Sequence, residues 1–258
     1  LSTLEIVNGE SDTVINKGEK DDNNPLGSSS QWTFGKPFSS SVFVDVNKID
    51  TIIIKLKNAA ASQCVMFSPT ESDLENYGLR DSRVYYSLNY SGKSVKMYMG
   101  KTNDDGSAYI SFDGSSIVGL ADSETVSALK EYLDPYKYLP QSVCTAKKAA
   151  VDSIEAVLDG KTYNIDMSKD NDSVTAFFNK LSGIVSSSHS IEAENVQPND
   201  SSFVITYHFK DSAYADITVY YTPYDNDYYT ASCGEVSGRL VNKRSIESVI
   251  DLLKAVEQ

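Results

Sequence analysis

The two histidines of the chain, His189 and His208, are the first residues to consider for acid–base chemistry. His189 lies in a serine-rich stretch, and His208 lies on a predicted strand, on the face opposite its apolar residues. A serine nucleophile needs a positioned imidazole and an exposed hydroxyl, often on a tight Gly-x-Ser-x-Gly turn. That turn does not occur in the sequence. We therefore predict structural roles for both histidines, no catalytic residue and a protein that is not an enzyme.

Acidic residues cluster in two turn-like segments, Asp104-Asp105 and Asp225-Asn226-Asp227. Carboxylate and amide oxygens are the ligands that Ca²⁺ prefers. Asp and Asn are also typical of hairpin turns, because their side chains bond nearby backbone N–H groups. EF-hand spacing is absent. Turn formation is the favoured interpretation and calcium binding is the alternative, and we predict no metal site and no cofactor.

Tyrosine is abundant, with 17 residues, and several of them lie close together in the second half of the chain. Exposed aromatic clusters stack on sugars or anchor protein interfaces. A half-buried strand also favours tyrosine, because the ring turns inward and the hydroxyl outward. The strand interpretation is favoured. The alternative is a glycan- or peptide-binding sheet with Tyr224, Tyr228 and Tyr229 as candidate binding residues.

The charge balance excludes nucleic acid as a partner. The chain has 36 acidic and 23 basic residues, which gives a net charge of −13, and no cluster of Lys and Arg interrupts this excess. A phosphate backbone would be repelled.

Cysteine usage and hydropathy limit the class further. Cys64, Cys144 and Cys233 are odd in number and form no Cys-x-x-Cys motif, so neither a disulfide framework nor a zinc site is predicted. One pair could bridge, and the sequence does not say which. No run of 18 apolar residues occurs, so no segment is predicted to span a membrane. The start at Leu1 without Met is typical of a trimmed precursor, and a signal peptide or lipid anchor would then lie outside the chain.

An internal repeat organises the sequence. Residues 106–120 and 226–240 match at an offset of 120, with Tyr109, Gly114 and Leu120 aligned to Tyr229, Gly234 and Leu240. The offset continues into a helix that follows Asp122 in one copy and Asn242 in the other, both suited to an N-cap. The helix has an apolar stripe in each copy: Val126, Leu129 and Leu133, and Ile246, Val249 and Leu253.

An earlier helix is repeated at an offset of 125. Its stripes are Ile49, Ile52, Ile53 and Leu56 in the first copy, and Val174, Phe177, Phe178 and Leu181 in the second. The change of offset predicts a shorter second copy. The segment that it lacks is a short helix, predicted from Ser68-Pro69-Thr70-Glu71 as its start and Gly78 as its end.

Runs of alternating apolar and polar residues fill the rest of each copy and predict antiparallel strands. Hairpin turns are predicted at Ser91-Gly92-Lys93, at Asn8-Gly9 and at Asp159-Gly160. We predict an α+β fold with two structurally similar repeats, each an antiparallel sheet packed with two helices. Residues 1–140 form the first repeat and residues 141–258 the second, diverged repeat.

The stretch Asp73-Leu74-Glu75-Asn76-Tyr77-Gly78-Leu79 resembles the acidic-x-x-aromatic-Gly-Leu signature of the bacterial domain-of-unknown-function family 4340. The hairpin at 85–99, the strand at 107–112 and the turn at 117–120 follow in the order of that family. The resemblance covers most of residues 1–140. It implies an extracytoplasmic protein that is lipid-anchored or tethered and, in some members, encoded near an ABC-type exporter, and it supplies no catalytic or ligand-binding residue.

From these observations we expect a non-enzymatic extracytoplasmic binding or scaffolding protein, accessory to a membrane transport system or bound to a cell-envelope ligand. The candidate binding surface is Tyr77, Gly78 and Leu79 with the adjoining hairpin, or a groove between the repeats. The alternatives are the glycan- or peptide-binding sheet described above and, least favoured, an enzyme of unknown type.

Overall fold

The computed structural model describes residues 1–9, 11–19, 21–26, 31–60, 63–169 and 171–256, and its chain divides into two compact units. Unit 1 comprises Leu1–Lys20 with Ser30–Leu139, and unit 2 comprises Asp21–Ser29 with Pro140–Gln258. The second boundary lies where it was predicted, near residue 140, but a segment from the first part of the chain, Asp21–Ser29, also belongs to unit 2.

Residues 21–26 pack within unit 2 because backbone groups near residue 146 hold them there. The N–H of Lys147 donates to the carbonyl of Pro25 at 2.7 Å. The hydroxyl of Thr145 donates to the carbonyl of Leu26 at 3.3 Å, and the Leu26 side chain packs against the core of unit 2. Hydrophobic periodicity could not predict this, since the segment forms no helix or strand.

Unit 1 contains eight strands and three α-helices within its described residues. The strands are β1 Thr3–Asn8, β2 Ser11–Lys17, β3 Trp32–Lys36, β4 Gln63–Phe67, β5 Val84–Tyr90, β6 Lys93–Thr102, β7 Ala108–Phe112 and β8 Ile117–Ala121. The helices are α1 Val46–Ala60, α2 Glu71–Asn76 and α3 Ser123–Glu131, and a 3-10 turn follows at Pro135–Tyr138.

Unit 2 contains seven strands and three α-helices within its described residues. The strands are β9 Val151–Leu158, β10 Lys161–Asp166, β11 Ser186–His189, β12 Phe203–Phe209, β13 Ile217–Pro223, β14 Tyr228–Cys233 and β15 Val236–Asn242. The helices are α4 Asp172–Ser182, α5 Ile191–Glu194 and α6 Lys243–Val256, and a 3-10 turn at Lys148–Ala150 precedes β9.

The two sheets share one strand order. Unit 1 reads β3-β2-β1-β5-β6-β7-β8-β4, and unit 2 reads β10-β9-β12-β13-β14-β15-β11. Apart from the extra edge strand β3, each strand of unit 1 has a counterpart in unit 2, and all named strand pairs are antiparallel. The predicted α+β fold with two similar units is confirmed.

The predicted hairpin turns form for backbone reasons. Ser91 and Gly92 have φ of 49° and 75°, and Asp159 and Gly160 have φ of 50° and 74°. Each pair is the two-residue loop between strands that close at Tyr90–Lys93 and at Leu158–Lys161. Two consecutive residues with positive φ match the right-handed twist of the strands that they join.

The predicted helical stripes form the centre of each core. Ile49, Ile52 and Leu56 of α1 are buried, as are all four stripe residues of α4. The closing helices also bury their stripes, but α3 ends at Glu131 and leaves Leu133 outside the helix. Tyr132, the C-cap residue of α3, takes a buried position in its place.

Two predictions about the short second helix are wrong. Thr70, not Ser68, is the N-cap of α2, because its hydroxyl accepts from the N–H of Asp73 and its own N–H donates to the Asp73 carboxylate. Unit 2 does not lack the element either. It keeps one turn, α5, which Ser190 caps and which packs against β15.

The matched tyrosines of the repeat, Tyr109 and Tyr229, do not occupy equivalent positions. Tyr109 pairs with Leu120 on the face opposite buried Ala108, whereas Tyr229 pairs with Val241 and packs against the core. A bulge between Ala231 and Cys233 shifts the register of β14 by one residue relative to β7. A one-residue shift moves every side chain of a strand to the other face.

Arg239 of β15 holds the segment that leads into unit 2. Its guanidinium is buried and donates to the carbonyls of Pro140, Gln141 and Ser142 at 2.6 to 3.1 Å. Burial lowers its pKa from the ordinary value, because the charged form loses hydration. Three carbonyls share one desolvated cation, so the contact is costly to break.

We expect Arg239→Ala to lower the free energy of unfolding by about 3 kcal/mol, since three carbonyls lose a charged donor. Arg239→Lys should lose part of this, because an ammonium cannot reproduce the planar fork. Urea denaturation followed by circular dichroism measures both, with the exposed Arg244→Ala as the control. Equal midpoints for the Ala variants at 239 and 244 would show that the clamp does not stabilise the fold.

Candidate functional site

An apolar cleft in unit 1 is a concave site formed by described residues. Its volume is ≈ 330 Å³, and it lies between α1 and the helix-covered face of β5, β6 and β7. The helix contributes Ile53, Leu56, Lys57 and Ala60; the strands and the chain start contribute Leu1, Tyr86, Leu88, Tyr90, Val95, Met97 and Phe112.

Strand alternation places these side chains on one wall. Tyr86 pairs with Met97, and Met97 pairs with Phe112, so one row of side chains crosses three strands. Leu88 and Val95 form the next row toward the hairpin turn. Tyr86 and Met97 are buried, whereas Val95 remains 38 % exposed, so the cleft opens at the hairpin end.

The walls of the cleft present little polarity. The hydroxyl of Tyr86 is already used, because it donates to the carbonyl of Leu129, and burial raises its pKa well above the ordinary value. Lys57, exposed on α1, is the charged side chain of the lining. An apolar wall with one cation at its rim suits an apolar group that carries a hydrogen-bond acceptor or a negative charge at one end.

The sequence did not reveal this cleft. Ile53 has the helical spacing of a core residue, and Leu88 and Val95 have the alternation of an ordinary strand. The sequence feature that points to the cleft is a pair of apolar residues, Tyr90 and Val95, on either side of the predicted hairpin turn. Both side chains are exposed in the structure. Exposed apolar residues indicate a binding site only when several lie together, because single exposed apolar side chains are common.

The Tyr77-Gly78-Leu79 signature has a clear role in folding. Gly78 has φ of 69°, the N–H of Leu79 donates to the Leu74 carbonyl, and the N–H of Gly78 donates to the Glu75 carbonyl. These two bonds form a Schellman motif that ends α2.

The side chains of the signature pack on the sheet rather than face solvent. Tyr77 is half-buried with its ring 4.4 Å from that of Tyr109, Leu79 is buried, and the Tyr77 carbonyl accepts from the N–H of Lys101. A Cβ at Gly100 would collide with the Tyr77 carbonyl and lie 3.0 Å from Leu79 Cγ. Glycine at 100 is therefore what lets the signature lie flat on β6.

The candidate tyrosines of unit 2 do not form one surface. Tyr228 and Tyr229 are adjacent on β14, so their side chains point to opposite faces, and Tyr229 packs on the core. Tyr224 lies in the β13–β14 turn, where its N–H donates to the carbonyl of Tyr228. All three are half-buried, as expected for tyrosines of a strand and its turn.

Both histidines are paired with carboxylates. His189 Nε2 lies 2.7 Å from Glu194 Oε1, and His208 Nδ1 lies 2.8 Å from Asp216 Oδ2. Neither pair lines the apolar cleft. His189 and Glu194 instead pack over Gly238, where a Cβ would meet both side chains.

The acidic turns use their carboxylates on their own backbone. Asp105 Oδ1 accepts from the N–H and the hydroxyl of Ser107, and these bonds lower the pKa of Asp105. Asp225 Oδ1 accepts from the N–H groups of Asp227 and Tyr228. Within the described residues, no group of three or more His, Cys, Asp or Glu side chains is arranged to hold a metal ion.

The cysteines are free thiols in different surroundings. Cys64 is exposed on β4, Cys144 is buried, and Cys233 is half-buried. Burial raises the pKa of Cys144, and burial together with the nearby Cys144 raises the pKa of Cys233 to about 12. A thiol with so high a pKa is a poor nucleophile at neutral pH.

Comparison with known proteins gives no relative: no family model, no curated protein and no solved structure matches the chain. Among the helices of the described residues, none combines the length and the apolar character needed to cross a membrane.

The raised thiol pKa values predict that the protein loses stability in alkali. Above the ordinary cysteine value of 9.0, the unfolded chain releases protons that the folded chain retains, so the free energy of unfolding falls as pH rises toward about 12. Each thiol that is deprotonated in the unfolded chain but protonated in the folded chain lowers the free energy of unfolding by up to about 1.4 kcal/mol per pH unit.

Urea denaturation between about pH 8 and about pH 10.5 measures this slope. We expect Cys233→Ala to have a shallower slope than the wild type, because one raised group is removed. Cys64→Ala is the control, since its thiol is exposed. A Cys233→Ala slope equal to that of the wild type would contradict the assignment.

Proposed function

We propose that the protein is a non-enzymatic binding protein and that the apolar cleft of unit 1 holds its ligand. The observation that carries this proposal is the cleft itself: ≈ 330 Å³ of space lined by aliphatic and aromatic side chains beside a well-packed core. Packed interiors contain few voids larger than a water molecule. An open apolar space of this size is typical of a binding site.

The polar groups of unit 1 and unit 2 support binding rather than catalysis. Within the described residues, no buried side-chain nitrogen or oxygen lacks a hydrogen-bond partner. The imidazole–carboxylate pairs lie away from the cleft, and Lys57 is the one ionisable side chain of its lining with a cationic charge. General acid–base chemistry needs a base within reach of the bound group.

The proposed location is extracytoplasmic, through a lipid anchor outside this chain, and the proposed partner is a transport system or another component of the cell envelope. This part of the proposal rests on the resemblance of residues 73–79 and the following elements to family 4340. The role of Tyr77-Gly78-Leu79 in ending α2 and seating it on β6 is compatible with such a fold signature. A signature that ends a helix and packs it on a sheet is explained by folding, without contact to a ligand.

A fluorescent apolar dye, Nile red, tests the cleft in the full chain. We expect the wild-type protein to bind the dye, and Ala60→Trp or Val95→Trp to weaken binding by about tenfold or more, because either indole fills the cleft. Two variants are used because one of them could disturb the hairpin.

Asn58→Trp is the matched control, since it adds the same side chain to an exposed position of α1 outside the cleft. Equal dye affinity of the control and the two cleft-filling variants would contradict the proposal, as would a lack of dye binding by the wild-type protein.

A further inference from the structure

We propose that unit 1 binds a linear aliphatic acid, with its carboxylate at Lys57 and its carbon chain running from the cleft toward the β4 edge of the sheet. The inference rests on the proposed function and names the class of its ligand. It follows from an apolar row that continues the cleft across the sheet and from the charge of the lining.

The floor of the cleft continues as a row of apolar side chains toward β4, an edge strand of the sheet. Met97 pairs with Phe112, and Ile117 pairs with Phe67. The β7–β8 register, extended by one residue beyond Ser111, places Phe112 opposite Ile117. Side chains that lie opposite each other in a ladder share one face, so the row joins the cleft to the edge of the sheet.

The outer part of this row is exposed. Ile117 is 40 % exposed and Phe67 is 73 % exposed, whereas Met97, at the inner end of the row, is buried. Leu1 borders the cleft next to β1, and the row leaves the cleft on the opposite side, toward β4. Exposed apolar side chains that lie together and continue a cleft mark a binding surface.

The shape of the row favours a linear chain over a compact ring system. Phe112 ends β7, and exposed serines of the following turn border the row on one side. From β6 to β4 the row crosses three strand spacings of about 4.8 Å, which together span about 14 Å. An extended carbon chain with bonds of about 1.5 Å advances about 1.3 Å per atom, so about eleven carbons would cover the row.

Lys57 selects the charge of the ligand. Of the described residues that line the cleft, it is the one with a charged side chain. No described residue accepts a hydrogen bond from its ammonium group or pairs with it as an ion. A carboxylate at this place would gain a charge-assisted hydrogen bond. A carboxylate is favoured over a phosphate, because a single lysine balances one negative charge and a phosphate carries more.

Other occupants fit these features less well. A second copy of this chain is disfavoured, because two chains of net charge −13 repel each other. A cationic amphiphile would fit the apolar row but would be repelled by Lys57. The cationic amphiphile is therefore included in the test as a competitor of matched chain length.

The probe is cis-parinaric acid, a linear acid that fluoresces in apolar surroundings, titrated against the full chain. Unlabelled competitors are then added below their micellar concentrations. We expect dodecanoate to compete at least about tenfold better than octanoate, because its further methylene groups leave water along the row. Dodecanoate should also compete at least about tenfold better than dodecyltrimethylammonium, because Lys57 attracts the first and repels the second.

Variants of the row and of the cation separate the two ends of the ligand. Phe67→Ser and Ile117→Ser should weaken dodecanoate about fivefold and leave octanoate unchanged, because the shorter acid stays within the cleft. Ile54→Ser is the matched control, since Ile54 is an exposed apolar residue of α1 outside the lining. Lys57→Gln should weaken dodecanoate about tenfold, and Lys55→Gln, outside the lining on the same helix, is its control.

Four results would overturn the inference. Equal competition by dodecanoate and dodecyltrimethylammonium would show that Lys57 does not select an acid. Equal affinity of the wild type and both row variants for dodecanoate would show that the chain does not follow the row. Failure of cis-parinaric acid to bind, with Nile red still bound, would reject the acid and leave the proposed function standing. Failure of Nile red as well would reject the proposed function together with the inference.

Discussion

Each sheet of this protein is wider than the two long helices that pack on it. The rest of the structure depends on what covers the apolar strand residues beyond those helices. Eight strands spaced about 4.8 Å apart span about 34 Å, whereas two helices side by side cover about 20 Å. Apolar strand residues beyond the helices stay in contact with water unless another segment packs over them. The same two-helix layer on two sheets of one strand order thus creates the same requirement twice.

The units meet this requirement differently. Unit 2 uses residues 140–146, which Arg239 holds by three carbonyls. Unit 1 covers one flank with the 3-10 turn at Pro135–Tyr138, where Tyr138 is fully buried and Phe38 packs edge-on against Tyr136. Its other flank, at the β5–β6 hairpin, remains open as the cleft. This open apolar cleft is the basis of the proposed binding function.

The architecture could be predicted from the sequence because it depends on local patterns. The stripes of α1 and α4 recur at one spacing, and the turns at Ser91-Gly92 and Asp159-Gly160 use residues that tolerate positive φ. The predictions that were wrong depend on features without such a signature. The bulge at Ala231–Cys233 shifts the register by one residue, and α5 is a single turn with no room for a stripe.

The candidate site could not be predicted for a related reason. A cleft forms where side chains do not fill the space between elements. Ile53 has the same helical spacing in the sequence whether its side chain faces a packed core or a cleft. The Tyr-Gly-Leu motif is conspicuous in the sequence and predicts a binding surface at Tyr77 and Leu79, yet their side chains pack on the sheet. Tyr228 and Tyr229 are neighbours along the chain, but adjacent residues of a strand point to opposite faces. Whether Tyr77, Gly78 and Leu79 or Tyr224, Tyr228 and Tyr229 contact a partner stays a prediction.

The central claim is that the apolar cleft of unit 1 is open to solvent, and the rate of thiol labelling measures it most directly. The variant Leu88→Cys, in a background with Cys64→Ser and Cys233→Ser, carries one thiol in the cleft and the native thiol of Cys144 in the buried core of unit 2. With an apolar maleimide under native conditions, the structure predicts rapid labelling at position 88 and labelling of Cys144 only after denaturation. Labelling of position 88 as slow as that of Cys144 would show that the cleft is closed in solution and would contradict this account.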